Sequence, residues 1–222
     1  ASGENRMKAL NLIYGLLFPP KCVLCGDLLR SGEQDLCKEC RSEAHLFPNG
    51  KRKLQFLDSF AAVWYYEGSI RRSMLRFKFY GRRSHAVSYG RLLAMELAKE
   101  FPDGFDVLTW IPVSRSRRLR RGYDQVELIA KAAARELGME AAPTLRKIRS
   151  NPPQSRITGE AQRRANVLGV YRVRQDADIR GKTVVLLDDI LTTGATMGEA
   201  ARMLRTAGAE QVHGATVAAV KK

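Results

Sequence analysis

Residues 183–199 read Thr-Val-Val-Leu-Leu-Asp-Asp-Ile-Leu-Thr-Thr-Gly-Ala-Thr-Met-Gly-Glu, and few folds accommodate residue types in this order. The unbroken apolar run 184–187 is the pattern of a strand covered on both faces of a parallel sheet. Asp188 and Asp189 follow where such a strand ends, and open α/β sheets bind ligands at the carboxyl ends of their strands. A short loop around Gly194 comes next. Thr196 and Glu199 have capping-box spacing, which predicts a helix starting there and running to about Ala207. Free N–H groups at a helix start attract anions, and small or hydroxylated residues let a phosphate come close. Two carboxylates beside such a cradle suit a sugar phosphate, the acids serving ribose hydroxyls or Mg²⁺.

The rest of the chain supplies strands and helices in alternation. Strands are expected around 60–66, at 106–111, 170–173 and 212–220. Helices are expected over 70–79, 86–99 and 124–137, the last with a capping-box-like start at Asp124 and Glu127. That alternation means a parallel sheet with right-handed crossovers, an α/β class. Residues 9–18 carry apolar positions at helical spacing and predict a docking amphipathic helix. They are too short to span a bilayer, and Pro19-Pro20-Lys21 is not a signal-peptidase site, so the expected compartment is the cytoplasm.

All four cysteines fall between Cys22 and Cys40, as Cys22-x-x-Cys25 and Cys37-x-x-Cys40. Paired knuckles of this spacing hold four thiolates around Zn²⁺, and full coordination makes the metal structural. Two disulfides and an iron–sulfur cluster are the alternatives, and a cytosolic chain weighs against disulfides.

The net charge of +15 is clustered and points to polyanionic partners. Five arginines stand between Arg115 and Arg121, directly after the 106–111 strand, where a loop would direct Ser114, Arg115, Arg117, Arg118 and Arg121 at a diphosphate or nucleic acid. A second cluster is Arg71, Arg72, Arg76, Lys78, Arg82 and Arg83, for which a solvated helix face is an equal reading. A third runs from Arg146, Lys147 and Arg149 to Arg156, Arg163 and Arg164. Gly181-Lys182-Thr183 is not the end of a Walker A loop, since Asp176 stands where its first glycine belongs and a strand follows. His45, His85 and His213 lack metal spacing and read as structural, while the run Trp64, Tyr65, Tyr66 reads as core before it reads as a base-stacking face.

Several of these segments resemble known families. The stretch from the 184–187 strand through Thr196 resembles the phosphoribosyl-pyrophosphate (PRPP) loop of type I phosphoribosyltransferases. Trp110-Ile-Pro-Val-Ser-Arg-Ser-Arg-Arg-Leu-Arg-Arg-Gly-Tyr-Asp-Gln125 resembles the ComF family signature, with Asp124 where Asn is commoner. Asn151-Pro-Pro-Gln154 with Arg164 and Asn166, and Phe77-Lys-Phe-Tyr-Gly81, resemble two further elements of that family. The resemblance implies a four-cysteine zinc module over 1–50 and a type I phosphoribosyltransferase-like domain with a parallel sheet over 51–222. It implies PRPP or a related sugar phosphate with Mg²⁺ on Asp188 and Asp189, its 5′-phosphate on Thr192, Thr193, Gly194, Ala195 and Thr196. The 115–121 segment would face the pyrophosphate, and residues 146–166, with Gln154 and Arg164, would form a hood. Family members are linked to natural competence, which implies DNA-uptake proteins as partners. The residues allow a phosphoribosyltransferase, and equally a non-catalytic single-stranded-DNA-binding protein or sensor with a vestigial PRPP site.

Overall fold

The structure, a computed structural model, describes residues 19–50, 52–149 and 160–221; the 9–18 segment lies outside them. Four parallel strands form the central sheet: β1 (Ser59–Tyr65), β2 (Val107–Trp110), β5 (Thr183–Leu191) and β6 (Gln211–Ala219), in the spatial order β1-β6-β5-β2. A separate antiparallel ribbon pairs β3 (Leu145–Lys147) with β4 (Tyr171–Val173). The 170–173 strand therefore exists but does not join the main sheet, and its partner β3, three residues long and two of them basic, carries no alternation that would announce it.

Alternation along β5 sorts the layers. Val185 and Leu187 belong to one core, with α2 (Gly68–Phe79), α3 (His85–Glu100) and α5 (Gln125–Glu136). Val184 and Leu186 belong to the opposite core, under α7 (Ala195–Thr206) and the β3–β4 ribbon. Since both faces of the sheet are covered, apolar residues dominate the middle of β1 and the first half of β5 on both sides. Helices α3 and α5 approach so closely at Gly90 that a Cβ there would stand 2.4 Å from Ala132 Cβ and 2.7 Å from the Ala133 nitrogen.

The cysteine module, with its short helix α1 (Lys38–Glu43), packs on α2 and α3 and shares their core through Val23, Leu24 and Leu36. Polar contacts close the joint. Ser73 donates to the Val23 carbonyl, Arg76 to the Leu24 carbonyl, and Arg91 reaches both oxygens of the buried Asp35 at 3.0 and 3.1 Å. Two remaining helices frame the site: α4 (Arg115–Arg121) and α6 (Glu160–Val167), the latter packed on α7.

Candidate functional site

Strand β5 outruns β2. Their pairing ends at Trp110↔Leu187, one further bond joins the Ile111 N–H to the Leu187 carbonyl at 2.9 Å, and Pro112 then turns the chain away. β5 continues through Asp188 and Asp189 to Leu191, held on its other side by β6. The acids are thus not a turn after the strand but part of it, because β6 supplies a ladder as far as Ala219. Period-two alternation then points the two carboxylates to opposite faces.

Asp189 makes an ion pair with a lysine, and both lysines of the two flanking elements lie in the field of the acid pair. On the α2 side, Lys78 Nζ sits 2.8 Å from Asp189 Oδ2, both side chains largely buried. On the ribbon side, Lys147 of β3 and Tyr171 of β4 lie in the field of Asp188. Burial, reinforced by the neighbouring Asp189 charge, pushes the Asp188 carboxyl up to about 8. Burial lowers Lys147 to about 8, with Arg117 adding to the drop and Asp188 opposing it. Lys147 Nζ also stands 5.5 Å from the Tyr171 ring centroid. Both lysines stood in the basic clusters without being singled out. Lys78 carried a signal, its place in the Phe77-Lys-Phe-Tyr-Gly81 element, whereas Lys147 carried none beyond its charge.

The loop after β5 brings Thr192, Thr193, Gly194, Ala195 and Thr196 to the start of α7. Gly194, at φ +85°, is the N-cap, and a Cβ on it would stand 2.6 Å from Leu54 Cδ2. The expected Thr196–Glu199 capping box is not formed. The helix begins at Ala195 after Gly194, and Thr193 Oγ1 accepts from the Ala195 N–H at 3.4 Å; Glu199 turns instead to the Gly169 N–H at 2.8 Å and to Arg202 at 2.9 Å, tying α7 to the end of α6. The positive end of the helix dipole there favours an anion. Beneath the loop, Arg52 donates to the Thr192 carbonyl at 2.7 Å and the Val220 carbonyl at 2.8 Å, a support that sequence spacing could not show across so long a separation. A cavity of about 410 Å³ opens beside Gly194, lined also by Lys53, Phe56, Leu168 and Arg202.

Across the cleft, the arginine segment is a helix rather than a loop. Ser114 caps α4, its Oγ accepting from the Arg117 N–H at 3.4 Å, and Gly122 ends it in the left-handed conformation. The exposed faces carry Arg115 and Arg118, while Arg117 and Arg121 are half-buried. Arg121 donates to Gln125 Oε1 at 2.7 Å, and its guanidinium lies 5.2 Å from the Phe79 ring centroid. Asp124 holds this segment to α5: Oδ2 accepts from the Val113 N–H at 2.9 Å, and Oδ1 accepts from the Val126 and Glu127 N–H groups at 3.0 and 3.2 Å. Two buried donors near by, Arg121 Nε and Gln125 Nε2, have no protein partner among the described residues. Gln154 lies outside the described residues, and Arg164 is placed on α6 with its side chain outside them.

At the amino end, the thiol sulfurs of Cys22, Cys25, Cys37 and Cys40 all lie within 4.8 Å of one another. Cys25 and Cys37 are 3.8 Å apart, the edge expected of a tetrahedron with Zn–S near ~2.3 Å. Burial pushes the Cys25 thiol up to about 11 and the Cys40 thiol higher still, so joint ionisation requires a cation among them. The residues fit structural zinc. A second cavity, of about 890 Å³, lies between this module and α3, and neither acid of β5 lines it. The histidines serve the fold: His45 meets Glu67 at 2.6 Å, His213 meets Ser59 at 2.8 Å, and half-buried His85 stacks on Phe77. Trp64 is buried in the core, which removes it as a stacking face.

Residues 127–222 match the phosphoribosyl transferase domain family, and residues 13–51 match the double zinc ribbon domain. A competence protein ComFC of Bacillus subtilis is 25% identical over 193 residues, covering 84% of this chain and 72% of that protein. The DNA utilization protein YhgH of Escherichia coli O157:H7 is 26% identical over 204 residues, covering 86% of each. The two domain matches and these relatives all fit a ComF-like protein. Among solved structures, the glutamine PRPP amidotransferase of B. subtilis is 24% identical with a TM-score of 0.43; the match covers 64% of the ComF-like chain and only 30% of that much longer one. Zinc ribbon, parallel sheet and strand-borne acid pair are the parts from which this ComF-like protein is assembled. No helix among its described residues is long and apolar enough to cross a membrane.

Proposed function

We propose that the cleft at the carboxyl end of β5 binds PRPP or a closely related sugar phosphate together with Mg²⁺, and that the protein uses it in DNA handling. One observation carries the reading: Asp188 and Asp189 are held near the carboxyl end of β5, Asp189 paired with Lys78, and a five-residue stretch leads from them to the start of α7. The backbone N–H groups at 194–196 and the hydroxyls of Thr192, Thr193 and Thr196 suit a 5′-phosphate. The two carboxylates suit ribose hydroxyls and the cation, which would neutralise a diphosphate and draw Asp188 into its ionised form. The α4 arginines and Ser114 suit the diphosphate itself.

Transfer from such a site breaks the bond between C1 and the pyrophosphate oxygen through an oxocarbenium-like state, which adjacent carboxylates stabilise. No described residue is assignable to reading a nucleobase acceptor, so the reading rests on binding. The names of the ComFC and YhgH relatives support a role beside DNA uptake and its machinery, and four cysteines used for zinc support a cytoplasmic location. Thermal unfolding with millimolar PRPP and Mg²⁺ tests the site, because a ligand bound only by the folded state raises the melting temperature. The wild-type protein should rise by several degrees and the Asp188→Asn, Asp189→Asn double variant should not. Equal shifts in both would remove the acids from the site.

A further inference from the structure

One helix grips both the first cysteine knuckle and the acid pair. Val23 and Leu24 stand between Cys22 and Cys25, and their carbonyls accept from Ser73 and Arg76 of α2. Their side chains are buried in one core with Ile70, Met74 and Phe77 of the same helix. Lys78, two positions past Arg76, holds Asp189. The N-cap of α2, Glu67, makes no side-chain capping bond. The helix therefore draws its hold from these neighbours, from Tyr89 on Ser73 at 2.6 Å and from Tyr123 on the Phe77 carbonyl. The four thiols are unequally placed. Cys22, Cys37 and Cys40 are buried, whereas Cys25 is exposed and lines the cavity of about 890 Å³ beside α3. A small solute thus reaches one sulfur of the set, and Cys37 Sγ lies 3.8 Å from it.

We propose that the ribbon is a redox-sensitive latch on the acid pair: hydrogen peroxide converts Cys25 and Cys37 to a disulfide, and α2 then loosens its hold on Asp189. The Cys25 thiolate attacks one peroxide oxygen, breaking the O–O bond and leaving a sulfenic acid and hydroxide. The Cys37 thiolate attacks that sulfur, forming the S–S bond and expelling a second hydroxide. Two sulfurs lose two electrons in all, and the peroxide, with two protons from solvent, becomes two waters. Only Cys22 and Cys40 then remain as thiolates, too few for a tetrahedral zinc site. A ribbon this small does not keep its shape without metal, so Ser73 and Arg76 lose the carbonyls of Val23 and Leu24. Lys78 follows in the next half-turn of the same helix. Four enclosed sulfurs would suffice for a structural metal; an exposed sulfur beside a second thiol is what oxidation requires.

The full chain, loaded with zinc and treated with hydrogen peroxide in the absence of any ligand, tests the latch. A colorimetric zinc chelator should report one zinc released per chain, and peptide mapping without reductant should find Cys25 joined to Cys37. Hydrogen exchange should quicken by about 10-fold or more in residues 70–81 and 186–191, while 127–136 of α5 stays as before. Reductant with added zinc should restore the slow exchange. Stripping zinc with a chelator under reductant should produce the same pattern, which separates metal loss from oxidation elsewhere in the chain. Retained zinc, a disulfide absent from Cys25 and Cys37, a chelator pattern unlike the peroxide one, or zinc release with unchanged exchange at 186–191 would each overturn the proposal. None of these readings uses PRPP. The effect on ligand rests on the sugar-phosphate reading, under which the oxidised protein should also bind PRPP more weakly. Absent binding by the reduced, zinc-loaded protein would overturn that reading and leave the latch standing.

Discussion

Lys78 Nζ and Asp189 Oδ2 are 2.8 Å apart, and the two side chains retain only 19% and 12% of their exposure. The pair fastens the last turn of α2 to the end of β5, two elements separated by more than a hundred residues of chain. The same helix bears Ser73 and Arg76, which hold the cysteine module. One helix thus joins the zinc ribbon to the acid pair.

Removing one partner of that pair strands the other charge. Lys78→Met should destabilise the protein by about 2–4 kcal/mol, less than a fully buried pair would show because some solvent remains. Adding Asp189→Asn should recover part of the loss. Denaturant unfolding of the two single variants and the double variant, arranged as a thermodynamic cycle, measures the coupling.

Asp188 gives stability a definite pH dependence. Its carboxyl is raised to about 8 in the folded protein against about 4 in an unfolded chain. The folded state therefore binds more protons between those values, and this group's contribution to stability falls as pH rises from about 4 through about 8. Asp188→Asn removes the penalty. Its melting temperature, relative to wild type, should climb as pH increases, by about 2–4 °C for each kcal/mol relieved. A difference that is flat across this window, or that has the opposite slope, contradicts the assignment.

Much of this was legible in the sequence, and the misses share a cause. Unbroken apolar runs announced β2 and β5, and two Cys-x-x-Cys knuckles announced the zinc ribbon, because both signals are local. The reach of β5 past Leu187 was not legible, since the ladder that carries Asp188 and Asp189 comes from β6 and not from their own residue types. Thr196 and Glu199 have capping spacing, yet Gly169 and Arg202 claim Glu199 from a distance. Five arginines in seven positions look like a loop until Ser114 and Gly122 are seen to cap them at either end. Lys147 became visible only when β3 brought it into the field of Asp188.

Asp124 accepts three backbone N–H groups through its two oxygens. Asp124→Asn replaces one acceptor with a donor, so either the Val113 N–H or the α5 cap loses its bond. The substitution should cost about 1–3 kcal/mol, and hydrogen exchange should show faster opening of the 113–127 segment.

Gly194→Ala places a Cβ against Leu54 at a φ that disfavours side chains. Leu54 can move, so the fold should survive with a loss of about 1–2 kcal/mol. The displaced loop should still weaken sugar-phosphate binding, read as a smaller ligand-induced melting shift than wild type shows.

Metal analysis should find one zinc per chain. Cys37→Ser should lose it, and melting should drop by about 6–12 °C if roughly 3 kcal/mol of the metal's contribution reaches the body through Arg76 and Arg91. Unchanged melting would mean that the ribbon folds apart from the sheet.

Isothermal titration calorimetry with PRPP in the presence of Mg²⁺ tests the central claim most directly. Wild-type protein should bind one PRPP per chain, with proton release detectable from buffers of different ionisation enthalpy as Asp188 ionises. The Asp188→Asn, Asp189→Asn variant, folded by circular dichroism, should show no heat. Absence of wild-type binding at millimolar PRPP, or undiminished binding by the folded double variant, would contradict the account.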